Sequence, residues 1–252
     1  MTPHLIPGRG TTPAGASSEV AASRYVRGMF GRIAPRYDLA NHVLSGNFDR
    51  GWRTETVHAV RAVSQRPGAV CLDLCCGTGD LLIALQADTP ETVIGSDFCR
   101  PMLAGAAAKL HAKGLRSPLL EADGLRLPLP DACLDLVTCG FGFRNFANYE
   151  AGARELRRVL RPDGLLAILE CAEPEGAVLG ALYRFYARRV LPLIGGALSG
   201  EPDAYAYLPD SVSKFPKPEA LSALLRRAGF TDASYRLMTC GVVSLHLART
   251  PA

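Results

Sequence analysis

The stretch AVCLDLCCGTGDLLIALQADTPETVIGSD, residues 69–97, decides the fold. AVCLDL is a short apolar run of strand length, CCGTG is a turn, DLLIALQA has helical length and pattern, and TVIGSD is a second strand. Two strands joined through a helix must run parallel. Strands that are apolar throughout, with little alternation, belong to a sheet covered on both faces. Outward from this unit the texture repeats. RPMLAGAAAKLHAKG (100–114) is a helix opened by proline and closed by glycine. PLLEAD (118–123) is a third strand, LDLVTC (134–139) a fourth, YEAGARELRRVLRPDG (149–164) a helix with a Pro-Asp-Gly stop, and LLAILEC (165–171) a fifth. PEALSALLRRAGF (218–230) is a last helix before SYRLMTC and GVVSLHLART, whose separation is too short for a crossover, so they pair antiparallel. The expectation is an α/β, doubly wound, mainly parallel sheet with helices on both faces and an antiparallel last strand.

Residues 1–19, rich in Pro, Gly, Thr and Ser, read as a flexible tail, and 20–252 as a single domain. Within it, 20–66 is a helical annex broken near Pro35 and Gly46, and 174–216 is an inserted segment rich in aromatics and glycine. The chain has 252 residues, 48% of them hydrophobic, which excludes a disordered protein. Its 28 basic and 24 acidic residues leave +4, too mild for a nucleic-acid binder. No apolar leader opens the sequence, and the most apolar stretch, 178–198, is interrupted by Arg184, Arg188 and Arg189, too costly for a membrane span. Eight cysteines show no C-x-x-C spacing and sit mostly in apolar runs, so they read as reduced, buried thiols of a cytoplasmic protein.

In an open parallel sheet, ligands bind beyond the carboxyl ends of the strands. Gly77 and Gly79 let backbone approach a ligand there, Asp97 closes the second strand about 20 residues on, where a carboxylate grips a ribose diol, and Asp123 closes the third. A dinucleotide loop needs a third glycine, which is missing, and Asp80 stands where a phosphate would want neutral amides. Asp73, Asp80, Asp97 and Asp123 form an acidic rim suited to a cation without phosphate, S-adenosylmethionine, in preference to NAD.

DLCCGTGD, GSDFCRPML and EADGLRLP resemble the successive motifs of class I S-adenosylmethionine-dependent methyltransferases, whose sheet is Rossmann-like and seven-stranded. FGRIAPRYDLANHVLSGNFDRGWR, CGFGFRNF, YLPDSVSKFP and GVVSLHLA resemble, more specifically, the UbiE/MenG family, over about Tyr25 to Ala248. The resemblance implies C-methylation of a prenylated quinol ring in menaquinone or ubiquinone biosynthesis, most directly demethylmenaquinol to menaquinol. It places Asp73, Gly77, Thr78, Gly79, Asp97, Asp123 and Gly124 on the cofactor. Gly140 stands where many relatives carry serine. Asn41 keeps the asparagine of the YDxxN stretch, and Leu169–Pro174 keeps Glu170 and Pro174 of an LEFSxP segment but lacks its serine.

Ring methylation needs an electron-rich carbon aligned with the methyl donor and a cation to stabilise phenolate; no metal is required. Arg144 is the first candidate for that cation, with Asn145 beside it; its alternative is a solvated loop arginine, or one paired with Asp38 or Glu170. Tyr37 and Asp38 belong to a possible lid, and His42 is a candidate base, while His246 reads as structural. The insert is expected to form a wall for the prenyl tail and to touch a membrane surface through its arginines, the protein acting peripherally at the inner face; a homodimer is compatible with this. Competing readings are a methyltransferase for another small aromatic substrate, an NAD-dependent oxidoreductase, and a non-catalytic cofactor-binding subunit.

Overall fold

The computed structural model describes residues 9–252. Its strands are β1 (Cys71–Leu74), β2 (Val93–Asp97), β3 (Leu119–Glu121), β4 (Leu134–Gly140), β5 (Leu160–Cys171), β6 (Thr231–Met238) and β7 (Val243–Arg249). They form one seven-stranded sheet in the order β3-β2-β1-β4-β5-β7-β6. β1 pairs in parallel with β2 and β4, β2 with β3, and β4 with β5, while β7 runs antiparallel to both β5 and β6. The expected sheet, antiparallel closing strand included, is therefore observed.

Successive strand residues point to opposite faces, and in the central strands β1, β4 and β5 both faces are buried, while the edge strands β3 and β6 are largely open. Leu72, Val137, Leu166 and Ile168 pack with α6 (Tyr149–Val159) and α10 (Pro218–Arg227). Cys71, Leu136, Ala167 and Leu169 pack with α3 (Phe48–Ser64), α4 (Asp80–Asp88) and α5 (Arg100–Ala112). That double burial is why the strands read as unbroken apolar runs. Strand order reverses between β1 and β4, and the crevice beyond their carboxyl ends opens there.

Two further helical groups cover this end. α1 (Glu19–Ile33) stops where Pro35 enters a 3-10 turn, and α2 (Tyr37–Leu44) follows. From the insert come α7 (Ala177–Phe185), a π-type turn (Tyr186–Val190), α8 (Leu191–Ser199) and α9 (Pro202–Lys214). Val26, Met29 and Ile33 of α1 share a core with Met102 of α5, Leu191 of α8 and Tyr205 and Tyr207 of α9. Annex and insert are thus packed on each other and on the sheet's ligand end.

The expected tail needs correction for residues 9–18. The Thr11 N–H donates to the Phe146 carbonyl at 2.7 Å, and the Tyr149 N–H donates to the Arg9 carbonyl at 2.7 Å. Gly10 lies so close to the Ala147 carbonyl that no Cβ would fit. Ser18 then caps α1 by accepting the Ala21 N–H. Small and polar residues that looked like a linker are there to let the backbone dock. The rest of that expectation, residues 1–8, lies outside the described residues. All eight cysteines are free thiols, as expected, but Cys240 is exposed, because it sits in the tight left-handed turn between β6 and β7.

Candidate functional site

Two adjoining clefts occupy the ligand end of the sheet. The first, about 660 Å³ including its open mouth, is floored by Leu74, Cys75, Gly77, Asp97, Asp123 and Gly124 at the ends of β1, β2 and β3. Gly140 and Gly142 border it after β4, and Ser23, Phe30 and Tyr37 close it from the annex. Its turn is built on conformations that glycine tolerates: Gly77 has φ +55° and Gly79 φ +90°. Gly142 is required for a different reason, since a Cβ there would meet Cys75 Cβ at 2.2 Å. At Gly140 a Cβ would come to 3.0 Å from Leu81 Cδ2, so a larger residue there needs a small shift of that leucine side chain.

The electrostatics of this cleft are specific. Asp97 accepts the Gly77 N–H at 3.0 Å and the Cys99 N–H at 2.8 Å. Burial pushes its carboxyl up to about 6, although those backbone donors and Arg27 pull the other way. Asp123 accepts the Leu125 N–H at 2.9 Å and stays exposed. Among the described residues lining this cleft these are the two charged groups, both acidic, with no lysine or arginine. A phosphate would find no cation here, whereas a cationic sulfonium compound finds two carboxylates and the apolar side chains of Leu74, Phe98, Met102 and Phe146. The residues present therefore fit the expected S-adenosylmethionine.

The acidic rim is smaller than its sequence suggested. Asp73 is fully buried inside the sheet, where its Oδ1 accepts the Thr138 hydroxyl at 2.6 Å, and burial pushes it up to about 7. Asp80 turns away to Lys109 at 2.5 Å and Arg53 at 3.4 Å. Thr78 and Gly79 also stand behind the cleft wall, Thr78 donating to Asp38 at 2.5 Å. Asp38 is paired with Lys109 at 2.8 Å and lines neither cleft, so it ties α2 to the glycine turn instead of facing a ligand.

The second cleft, about 1030 Å³ with its mouth, lies between annex and insert. It shares Phe30, Tyr37 and Phe141 with the first. Met29, Ile33, Leu44, Trp52, Ala187, Leu191, Leu208 and Val212 make it largely apolar, and Tyr183, Tyr186 and Tyr207 add hydroxyls. Burial pushes the Tyr37 phenol up against the pull of Arg144 and Asn41, and Tyr207 up to about 12. These phenols remain protonated at neutral pH and act as donors.

Arg144 lines this second cleft and is buried. Its Nη1 donates to the Phe141 carbonyl and to Glu170 Oε2 at 3.2 Å, while its Nε has no protein partner. Of its two anticipated partners, the structure selects Glu170. Burial opposes the guanidinium charge, but the Glu170 carboxylate beside it more than offsets this and holds the proton more firmly than usual. Asn145 also reaches the Phe141 carbonyl, at 3.5 Å, and accepts the Tyr207 hydroxyl at 3.0 Å. Phe141 has φ +57°, a left-handed conformation costly for a phenylalanine; its N–H donates to the Leu169 carbonyl at 2.7 Å while these side chains reach its own carbonyl.

His42 does not reach either cleft; its Nδ1 lies 2.8 Å from Asp49, which does line the second. Asp49 also accepts the Ser45 hydroxyl at 2.7 Å and pairs with Arg53. Burial works against the Asp49 charge, but Ser45 and Arg53 more than offset it and hold the carboxyl below its usual range. His42, Asp49 and Asp80 bring their ligand atoms within 4.8 Å of one another, as a metal site would. Arg53 and Lys109 already supply the positive charge there. Asp49, Arg53, Lys109 and the second cleft's Tyr183, Tyr186 and Tyr207 were not singled out from sequence. The Asp49 and Arg53 spacing of one helical turn was the available signal. His246 is buried between the hydroxyls of Ser222 and Ser244, a structural position.

Comparison with known proteins agrees with this architecture. A protein of Thermus thermophilus named demethylmenaquinone methyltransferase is 49% identical over 224 residues, covering 88% of this chain and 100% of that protein. One of Syntrophotalea carbinolica, named ubiquinone/menaquinone biosynthesis C-methyltransferase UbiE, is 40% identical over 221 residues, 87% and 92% of the two chains. A solved SAM-dependent methyltransferase from Aquifex aeolicus shares the fold, with TM-score 0.57 at 19% identity over 78% of this chain and 88% of its own. The model of the ubiE/COQ5 methyltransferase family matches residues 18–250, and with two adjoining clefts built by that same span, the chain belongs to this family.

Proposed function

We propose that the protein methylates a ring carbon of a prenylated quinol, demethylmenaquinol to menaquinol, with S-adenosylmethionine in the first cleft and the quinol in the second. The observation that carries this reading is the wall of Phe30, Tyr37 and Phe141 common to an acidic polar cleft and an apolar one. The relatives' names support the quinol; that of the Syntrophotalea carbinolica relative keeps a benzoquinol as the second reading.

S-adenosylmethionine, when bound, supplies an electrophilic methyl group on a sulfonium. Asp97 and Asp123 would hold it, Gly77, Gly124 and Gly142 giving backbone access. On the quinol side, the apolar walls exclude water, and orientation alone can contribute roughly 7–11 kcal/mol in ideal cases. Tyr37 donates a hydrogen bond to the ring oxygen, and Arg144 places its charge where phenolate develops. Glu170 fixes that charge in position but also tempers it, so Arg144 orients as much as it stabilises. Asp49, held as a carboxylate by Ser45 and Arg53, adds fixed negative charge to the quinol cleft, and the quinol proton leaves to water at the open mouth of that cleft. Asp38 and Asn145 act on the site by holding the glycine turn and the Phe141 loop.

The test is incubation of the purified protein with labelled methyl donor and demethylmenaquinol, then lipid extraction. Label in the menaquinone fraction is expected; a folded, cofactor-binding protein that leaves the quinone unlabelled overturns the reading.

A further inference from the structure

The run from α7 through the π-type turn into α8 has two unlike faces. One lines the apolar cleft with Tyr183, Tyr186, Ala187 and Leu191. The other is apolar and faces outward: Val178 is 84% exposed, Leu182 63%, Phe185 62% and Leu193 76%. Val178, Leu182 and Phe185 recur at helical spacing, so they form one ridge of α7. Leu39 and Val43 of α2, which packs on α8, are exposed too. Scattered exposed leucines are ordinary, but a ridge continuous with the wall of an apolar cleft marks a contact surface. Arg184, Arg188 and Arg189 are exposed on the same segment, which has no acidic residue between Ala177 and Ser199.

We propose that this face of α7 and α8 docks on an anionic phospholipid bilayer, the apolar ridge entering the headgroup boundary and the arginines meeting lipid phosphates, so that the cleft receives its ligand directly from lipid. The arginines choose the occupant. A second copy docking face to face would bring like charges together, whereas anionic headgroups neutralise them. Amphipathic helices that lie in the interface combine apolar and basic residues in this way. No helix among the described residues is long and apolar enough to cross a membrane. The inference rests on the proposed quinol reading only for its purpose; the contact itself follows from the surface.

The experiment is cosedimentation of the intact protein with vesicles of phosphatidylglycerol and phosphatidylcholine, against phosphatidylcholine alone. Wild type is expected to sediment with the anionic vesicles and much less with the neutral ones. The combined variant Val178→Asp, Leu182→Asp, Phe185→Asp should partition at least about tenfold more weakly, and Arg184→Gln with Arg188→Gln and Arg189→Gln should lose the preference for anionic lipid. Circular dichroism checks that both variants are folded. Methylation of a short-tailed, water-soluble quinol should stay within about twofold of wild type, while methylation of a long-tailed quinol in vesicles falls about tenfold or more. Equal vesicle binding by wild type and the aspartate variant overturns the proposal. So does a wild-type dimer that the aspartates dissociate, which would make the ridge a self-interface. Vesicle binding without transfer to any quinol would instead reject the proposed substrate and leave the docking surface standing.

Discussion

Asp97 is the residue whose environment has the clearest functional consequence. Its carboxyl is raised to about 6 by burial, yet it must be ionised to accept hydroxyls from a ribose. The sign follows directly: the group is a carboxylate above about pH 6 and a neutral acid below. Cofactor affinity should therefore be constant above that pH and fall by up to about tenfold per unit beneath it, one proton being lost on binding. Titration calorimetry from pH 5 to pH 8 measures this, and Asp97→Asn should bind weakly at every pH with no such slope. A wild-type affinity that does not change across pH 6 would show that Asp97 does not hold the cofactor. Asp97 was legible in the sequence because a strand end and its spacing from a glycine turn are local features. Asp80 and Asp38 were misplaced because their neighbour is Lys109, a residue of α5 that no local pattern connects to them.

Among the elements, the loop from Phe141 to Asn145 ties the two clefts together. Its phenylalanine forms part of the shared wall, its arginine reaches back to β5 through Glu170, and its asparagine holds α9 through Tyr207. Removing the guanidinium with Arg144→Ala would leave Glu170 buried and unpaired, at about 3–5 kcal/mol of stability. Arg144→Lys is the cleaner test, since it keeps the charge but replaces the delocalised guanidinium, whose Nη1 serves both Phe141 and Glu170, with a compact ammonium on a flexible stem. It is expected to remain folded and to lower kcat about tenfold or more, some 1.4 kcal/mol in the barrier, with a small change in cofactor KM. An unchanged kcat would confine Arg144 to a structural role. The motif CGFGFRNF pointed to this loop, and Arg144 with Glu170 was one of two partnerships it left open. That Arg144 and Asn145 both hold the Phe141 carbonyl needs two side chains and a left-handed backbone turn in place at once.

For the whole molecule, the cofactor cleft is assembled from the sheet, α1, Tyr37 of α2 and the loop through Phe146, on which the segment after residue 9 docks, so binding should stabilise all of it together. At a hundredfold excess over Kd, a ligand that binds only the folded state adds about 2.7 kcal/mol, or roughly 5–10 °C in Tm for a chain of this length. S-adenosylmethionine should produce that shift and NADH none, because no basic side chain lines the cleft among the described residues. A shift with NADH alone would restore the oxidoreductase reading. The sequence by itself determined the sheet, its glycine turns and the acids at its strand ends. Strand burial, turn conformation and crossover length are all set over a few consecutive residues. Only the tertiary structure decided which acids face a ligand, which partner Arg144 takes, and that Thr11 meets Tyr207 across 196 positions of chain. Those outcomes depend on how annex and insert pack over the sheet, and a buried charge or hydroxyl takes whatever partner that packing brings within reach.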